Sequence, residues 1–186
     1  MRSVELIVLI ALGNLVWAQT NPEEPEKHID VIQSPNGWLK ESFEFPLSFA
    51  PSIPFSGFEE LRFAKEWNDS TSQEFWSYMF VWYLDVDPEM TLEKLETVVK
   101  AYYDGLMAVE YTKPEFTKLK DGSFAGRVQT FDQFFTKKDF ILNVKMKPTN
   151  CDKARKYACL FYISPFAFDT VIWSQLEDIK LKADCD

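Results

Sequence analysis

The pattern of apolar and polar positions singles out two adjoining stretches. From Phe75 to Leu84 the even positions Trp76, Tyr78, Phe80, Trp82 and Leu84 are large and apolar, and so, apart from Ser77, are the odd positions Phe75, Met79, Val81 and Tyr83. A strand that is apolar on both parities is covered on both faces, so this stretch predicts a central strand. From Thr91 to Val109 the period changes. Leu92, Leu95, Val99, Tyr102, Leu106 and Val109 recur at spacings of three and four, which aligns them on one side of a helix. Asp87 before Pro88, or Thr91, can cap its start, and Gly105 is a weak point near its end. A helix with one apolar side is made to lie on a sheet.

Around this pair the pattern predicts further strands. Phe43, Phe45, Leu47 and Phe49 alternate with Glu44, Pro46 and Ser48, which suits a strand buried on one face. Pro46 has no N–H to give a ladder, so that strand belongs at an edge. Glu59 to Ala64 predicts a short strand with Leu61 and Phe63 inward. Asp121–Gly122 is a hairpin signal joining Phe116–Lys120 to Phe124–Phe131. A second hairpin crosses Thr136 to Asp139. Its return strand carries Phe140, Leu142, Val144 and Met146 on one face, with Asn143, Lys145 and Lys147 on the other. Tyr157 to Ile163 is apolar on both parities and predicts another interior strand, ended by Pro165. Ile172, Leu176 and Ile179 predict a short terminal helix.

Strands and helices that segregate in this way give an antiparallel α+β domain. The element order suits a sheet curled around one long helix, as in cystatin-like or NTF2-like rolls, with a ferredoxin-like arrangement as the alternative. Element order of this kind carries no function.

The N-terminus adds a compartment. Met1 to Ala18 has an early Arg2, an apolar run from Leu6 to Trp17, and small residues Val16 and Ala18 ahead of a cleavage point, which reads as a signal peptide over 1–18. The apolar run is about a dozen residues, short of the roughly 20 that span a bilayer. The expectation is a secreted or periplasmic product with no membrane span in the mature chain. Residues 19–40, with Pro22, Pro25 and Pro35 among Glu23, Glu24 and Glu26, predict a flexible acidic leader, and 41–186 a single domain.

Charge and cysteine usage narrow the partners. The net charge is −9, and removal of Arg2 and Glu5 with the signal peptide leaves it unchanged. Such a balance disfavours nucleic acid and anionic membrane, both of which reward clustered Lys and Arg. Of the three cysteines, Cys159 lies in an apolar run, where a free thiol behaves as a small hydrophobe. Cys151 and Cys185 lie in polar stretches, which favours a Cys151–Cys185 bridge, with Cys151–Cys159 as the alternative. Three scattered cysteines without a neighbouring His do not suit a metal, and no cofactor motif is present.

His28 is the sole histidine and lies in the leader, so a Ser-His-Asp or Cys-His triad within the folded part is excluded unless the leader folds back. Asp121-Gly122-Ser123 and Ala125-Gly126-Arg127 lack phosphate-loop spacing. Glu74, Asp85 and Asp87 flank the central strand and give an alternative, a carboxylate-dependent hydrolase, but acids before a helix ordinarily serve as caps and turn residues. Asn68-Asp69-Ser70 fits a glycosylation acceptor. The composition includes 17 Phe, 6 Trp and 7 Tyr, which makes Trp76, Tyr78 and Trp82 candidates to line a pocket, with Arg127 and Gln129 as polar groups, against the plainer reading that they are core. The expected function is an exported, non-catalytic domain that binds a small apolar or sugar-like ligand or a protein partner. A structural or envelope-assembly component, associating through the Phe43–Phe49 edge, is the further alternative.

Overall fold

The central strand is β3 (Tyr78–Leu84), and all of its residues are buried. In the computed structural model, which describes residues 30–182 other than residue 34, it starts later than the apolar run does. Phe75 to Ser77 form a turn in which Trp76 takes a φ of 49° and its N–H meets Trp67 O at 2.8 Å. The signal peptide expected over 1–18, residues 19–29 and residue 34 fall outside the described residues.

β1 (Leu39–Glu44) and β2 (Gly57–Phe63) precede β3. After β3 come α1 (Leu92–Met107), β4 (Lys113–Lys118), β5 (Phe124–Phe131), β6 (Asp139–Cys151), β7 (Lys156–Ser164) and α2 (Val171–Glu177). The strands form one antiparallel sheet of seven in the order β1-β2-β3-β7-β6-β5-β4. Two hairpin-linked meanders, β1 to β3 and β4 to β7, meet where β3 pairs with β7, Tyr78 opposite Ile163. Since β4 is the far edge, the chain leaving β3 must cross back over the sheet, and α1 is that crossing. An α+β class is therefore observed, while the element order departs from the β-α-β-β-α-β of a ferredoxin-like arrangement.

Local chemistry accounts for the boundaries. Thr91 caps α1, its Oγ1 accepting the Lys94 N–H at 3.2 Å. The helix stops at Met107, short of Val109, because Ala108 turns left-handed and its N–H and that of Val109 close back on Gly105 and Asp104. The buried stripe also includes Val98, Tyr103 and Met107, whereas Leu92 is 39% exposed. Gly105 is a point of contact rather than of weakness: a Cβ there would lie 1.9 Å from Phe49 O. The alternation from Phe43 to Phe49 is not one strand. Pairing ends at Glu44, and beyond Pro46 the Ala50 N–H closes a turn on Leu47 O at 3.0 Å, so Leu47, Ala50 and Ile53 drop into the core.

Both faces of the sheet are covered. On the inner face, Phe80, Trp82, Phe161 and Val144 pack with Leu95, Val99 and Tyr102 of α1. On the outer face, Val81, Leu160 and Tyr162 pack with Ile172, Trp173 and Leu176 of α2 and with Val31 and Ile32. Ile32 is fully buried and bridges Leu181, so residues 30–32 pack on the sheet ahead of Glu41. Among the described residues no helix is long and apolar enough to cross a membrane.

Candidate functional site

Of the sequence-predicted site residues, Trp76, Tyr78 and Trp82 share the inner core, and Arg127 lies apart from them. Trp76, Tyr78 and Trp82 are 2% or less exposed and sit in the inner core, ringed by other aromatics. Tyr78 shares a 2.8 Å hydrogen bond with the Tyr103 hydroxyl, and Phe161 stands 4.7 Å from Trp82 between ring centroids. All three side chains belong to the packed inner core. Arg127 is exposed on the opposite face of the sheet, next to Gln129 in sequence parity and opposite Glu115 on β4. Trp76 keeps one unusual feature, a buried indole N–H with no partner among the described residues.

The interior instead contains a residue that sequence reading passed over. Glu59 on β2 is fully buried on the same face as Leu61 and Phe63, and its parity with those two was the signal. Trp82 donates its indole N–H to Glu59 Oε2 at 2.6 Å, and Tyr102 donates its hydroxyl to Oε1 at 3.1 Å. Burial is the main cause of a carboxyl pKa raised from 4.5 to about 8. The two donors pull it down, and the charge of Glu41 on β1 adds to the rise. With no cation against it among the described residues, Glu59 is an acid that keeps its proton at neutral pH.

The next residues on β2 point the other way and behave differently. Arg62, 1% exposed, pairs with Glu60 and with Asp30, and also donates to Leu61 O at 2.7 Å and Ile32 O at 3.1 Å. Glu60 Oε2 accepts the Val31 N–H at 2.7 Å. Burial pushes Glu60 up against these contacts. Asp30, despite some desolvation, is held well below the usual carboxylate range by Glu60, Lys182 and Lys40 and by the Arg62 charge. This cluster ties residues 30–32 to the sheet.

The carboxylates at the ends of β3 have structural partners. Asp85 pairs with Lys156, which holds its carboxyl low. Asp87 accepts the Glu89 N–H at 2.7 Å as a turn residue, and Glu74 accepts the Glu66 N–H at 2.8 Å. Asp87 also lines a cleft of about 410 Å³ with Glu89, Thr91, Asn150 and Tyr157. Another cleft, of about 340 Å³, lies on the outer face between the β4–β5 hairpin and the end of α2, lined by Asp121, Ser123, Lys145, Lys147, Tyr162 and Lys180 among others. Asn68 is exposed. Among the described residues no group of three or more His, Cys, Asp and Glu side chains could hold a metal ion. Cys159 is a free, buried thiol, and the bridge expected between Cys151 and Cys185 lies outside the described residues because Cys185 does.

Comparison of the chain with protein-family models, with curated proteins and with solved structures found no match.

Proposed function

We propose that this chain is an exported, non-catalytic domain that binds a small hydroxyl-bearing ligand in a cleft on its exterior, and that its interior serves only to hold the fold. The observation that carries this reading is the filled inner layer, where Trp82 and Tyr78 spend their polar handles on Glu59 and Tyr103. Ligand sites are concave and few, and clefts of about 340 and 410 Å³ fall within the usual range for small molecules. The pairing of Asp85 with Lys156 speaks against a carboxylate hydrolase, which needs one carboxyl raised and accessible.

The finer architecture belongs to the same proposal. α1 touches β4 and β5, while its Tyr102 reaches Glu59 of β2, a span that suits a sheet rolled around the helix in the cystatin-like or NTF2-like manner. With Cys159 free and buried, a Cys151–Cys185 bridge is the pairing left for an oxidising compartment.

The test is a thermal-shift and native mass spectrometry screen of the full chain against mono- and disaccharides, neutral and acidic, with product analysis of every hit. The expected result is a compound that raises the melting temperature and is recovered unchanged. Conversion of any compound, lost on replacing Asp85 or Asp87 with Asn, would overturn the reading in favour of a hydrolase.

A further inference from the structure

The cleft on the outer face has a composition that the rest of the chain does not. In a protein of net charge −9 it gathers Lys145, Lys147 and Lys180 around the ring of Tyr162. Its floor is set by register, since Lys145 lies opposite Tyr162 and Lys147 opposite Leu160 where β6 pairs with β7. Its walls are the end of α2, with Glu177, and the hairpin turn that presents Asp121 and Ser123.

The groups there differ in how they are engaged. Lys145 is fixed, paired with Glu177 and lying 4.9 Å and 5.3 Å from the ring centroids of Phe168 and Trp173. Lys180 donates to Glu177 O. Asp121 Oδ1 accepts the N–H and hydroxyl of Ser123 at 3.0 and 2.6 Å. Two donors are left over. Lys147 is exposed on β6 and pairs with no carboxylate among the described residues; the Asp121 carboxyl is held low chiefly by its hydrogen bonds with Ser123, and only slightly by the Lys147 charge. Tyr162 is only 8% exposed, lines the cleft, and its hydroxyl hydrogen-bonds to no described residue. A phenol that close to buried ordinarily finds a partner. Burial, with the charge of Glu177, pushes its pKa up to about 12, so it remains a donor at neutral pH.

Resting on the reading of the domain as a sugar binder, we propose that this cleft takes an acidic monosaccharide, its carboxylate received by Lys147 and the Tyr162 hydroxyl and its ring hydroxyls by Asp121, Ser123 and Glu177. The unpaired donors call for an anion. The two carboxylates beside them would repel a bare anion, and they suit a ligand that also brings hydroxyl donors. A volume of about 340 Å³ matches one sugar ring rather than a chain.

The experiment is an amide-detected NMR titration of the full chain with D-glucuronate, with D-glucose and acetate as the neutral and hydroxyl-free controls. Lys147→Ala and Tyr162→Phe are titrated in parallel after circular dichroism has shown both to be folded. Glucuronate is expected to shift Ser123, Lys147 and Tyr162 together, to weaken with added salt, and to bind about tenfold more weakly to each variant, the loss of one charge-assisted hydrogen bond. Acetate binding as well as glucuronate, or folded variants binding like the parent, would overturn the proposal. If glucuronate fails while another saccharide raises the melting temperature unchanged, the assignment of this cleft is wrong and the binding reading of the domain stands.

Discussion

The two sides of β2 solve one problem in opposite ways. Glu59 faces inward and Glu60 outward, and both are buried. Glu59 meets only neutral donors, Trp82 and Tyr102, and is held as an acid, whereas Glu60 meets the Arg62 guanidinium and, through it, Asp30. The inner layer is mostly aromatic and sets no counter-charge against Glu59 among the described residues, so the low-cost answer there is to keep the proton. Residues 30–32 run over the outer layer and are tied to β2 by the Val31 N–H on Glu60, the Arg62 donation to Ile32 O and the Arg62–Asp30 pair. Burial of a carboxyl is thus compatible with either a packed interior or a clasp, and the partner decides which.

The strongest way to break the comparison is to ask the inner face for a charge it cannot neutralise. Val99→Asp places a carboxylate on the α1 stripe against the sheet, where Val99 is 3% exposed and its surroundings are apolar. The chain should fail to fold at pH 7, seen as loss of near-ultraviolet dichroism from the packed rings. Native-like dichroism would mean that the inner layer is wetter than described.

Next in size is the outer clasp. Arg62→Met removes the cation between Glu60 and Asp30 and should destabilise by about 3 to 5 kcal/mol in urea unfolding, the cost of leaving the buried Glu60 without its cation, while Asp30 keeps Lys40 and Lys182. Combining it with Glu60→Gln should recover part of that loss. A smaller effect is expected inside. Tyr102→Phe keeps the ring and deletes one donor to Glu59, for a loss of about 1 to 3 kcal/mol.

How much of this was legible beforehand differs between the two faces. The double-sided strands β3 and β7, the helix stripe, and the Asp121–Gly122 hairpin follow from periodicity, because burial on one or both faces writes itself into apolar spacing. Glu59 was concealed by its charge: it occupies an apolar parity, but a binary pattern counts a carboxyl as polar whatever its protonation. Ile32 and Val31 were concealed by their acidic, Pro-containing surroundings, which gave no sign that Arg62 would reach Asp30 from the sheet. The aromatic stripe of Trp76, Tyr78 and Trp82 read more readily as core than as pocket, with both left open, since sequence does not report which rings meet across a helix–sheet gap. Nor could it show that Arg127 faces away from them, because face assignment on β5 depends on its register with β6.

The claim that β2 holds a neutral acid inside is tested most directly by titrating Glu59 itself. Its pKa in the fold, about 8, stands above the ordinary 4.5, so through that window the folded protein keeps a proton that the unfolded chain has lost. Glu59 therefore makes stability fall as pH rises from about 4.5 to about 8, by about 1.4 kcal/mol per unit at most, and adds no slope above that. The measurement is the side-chain carboxyl carbon shift of Glu59 in ¹³C-labelled protein from pH 4 to 9, assigned by its disappearance in Glu59→Gln. The account predicts a midpoint near pH 8 and a Glu59→Gln protein whose stability declines less steeply across the same range. A midpoint near 4.5, with parallel stability curves for the two proteins, would contradict it.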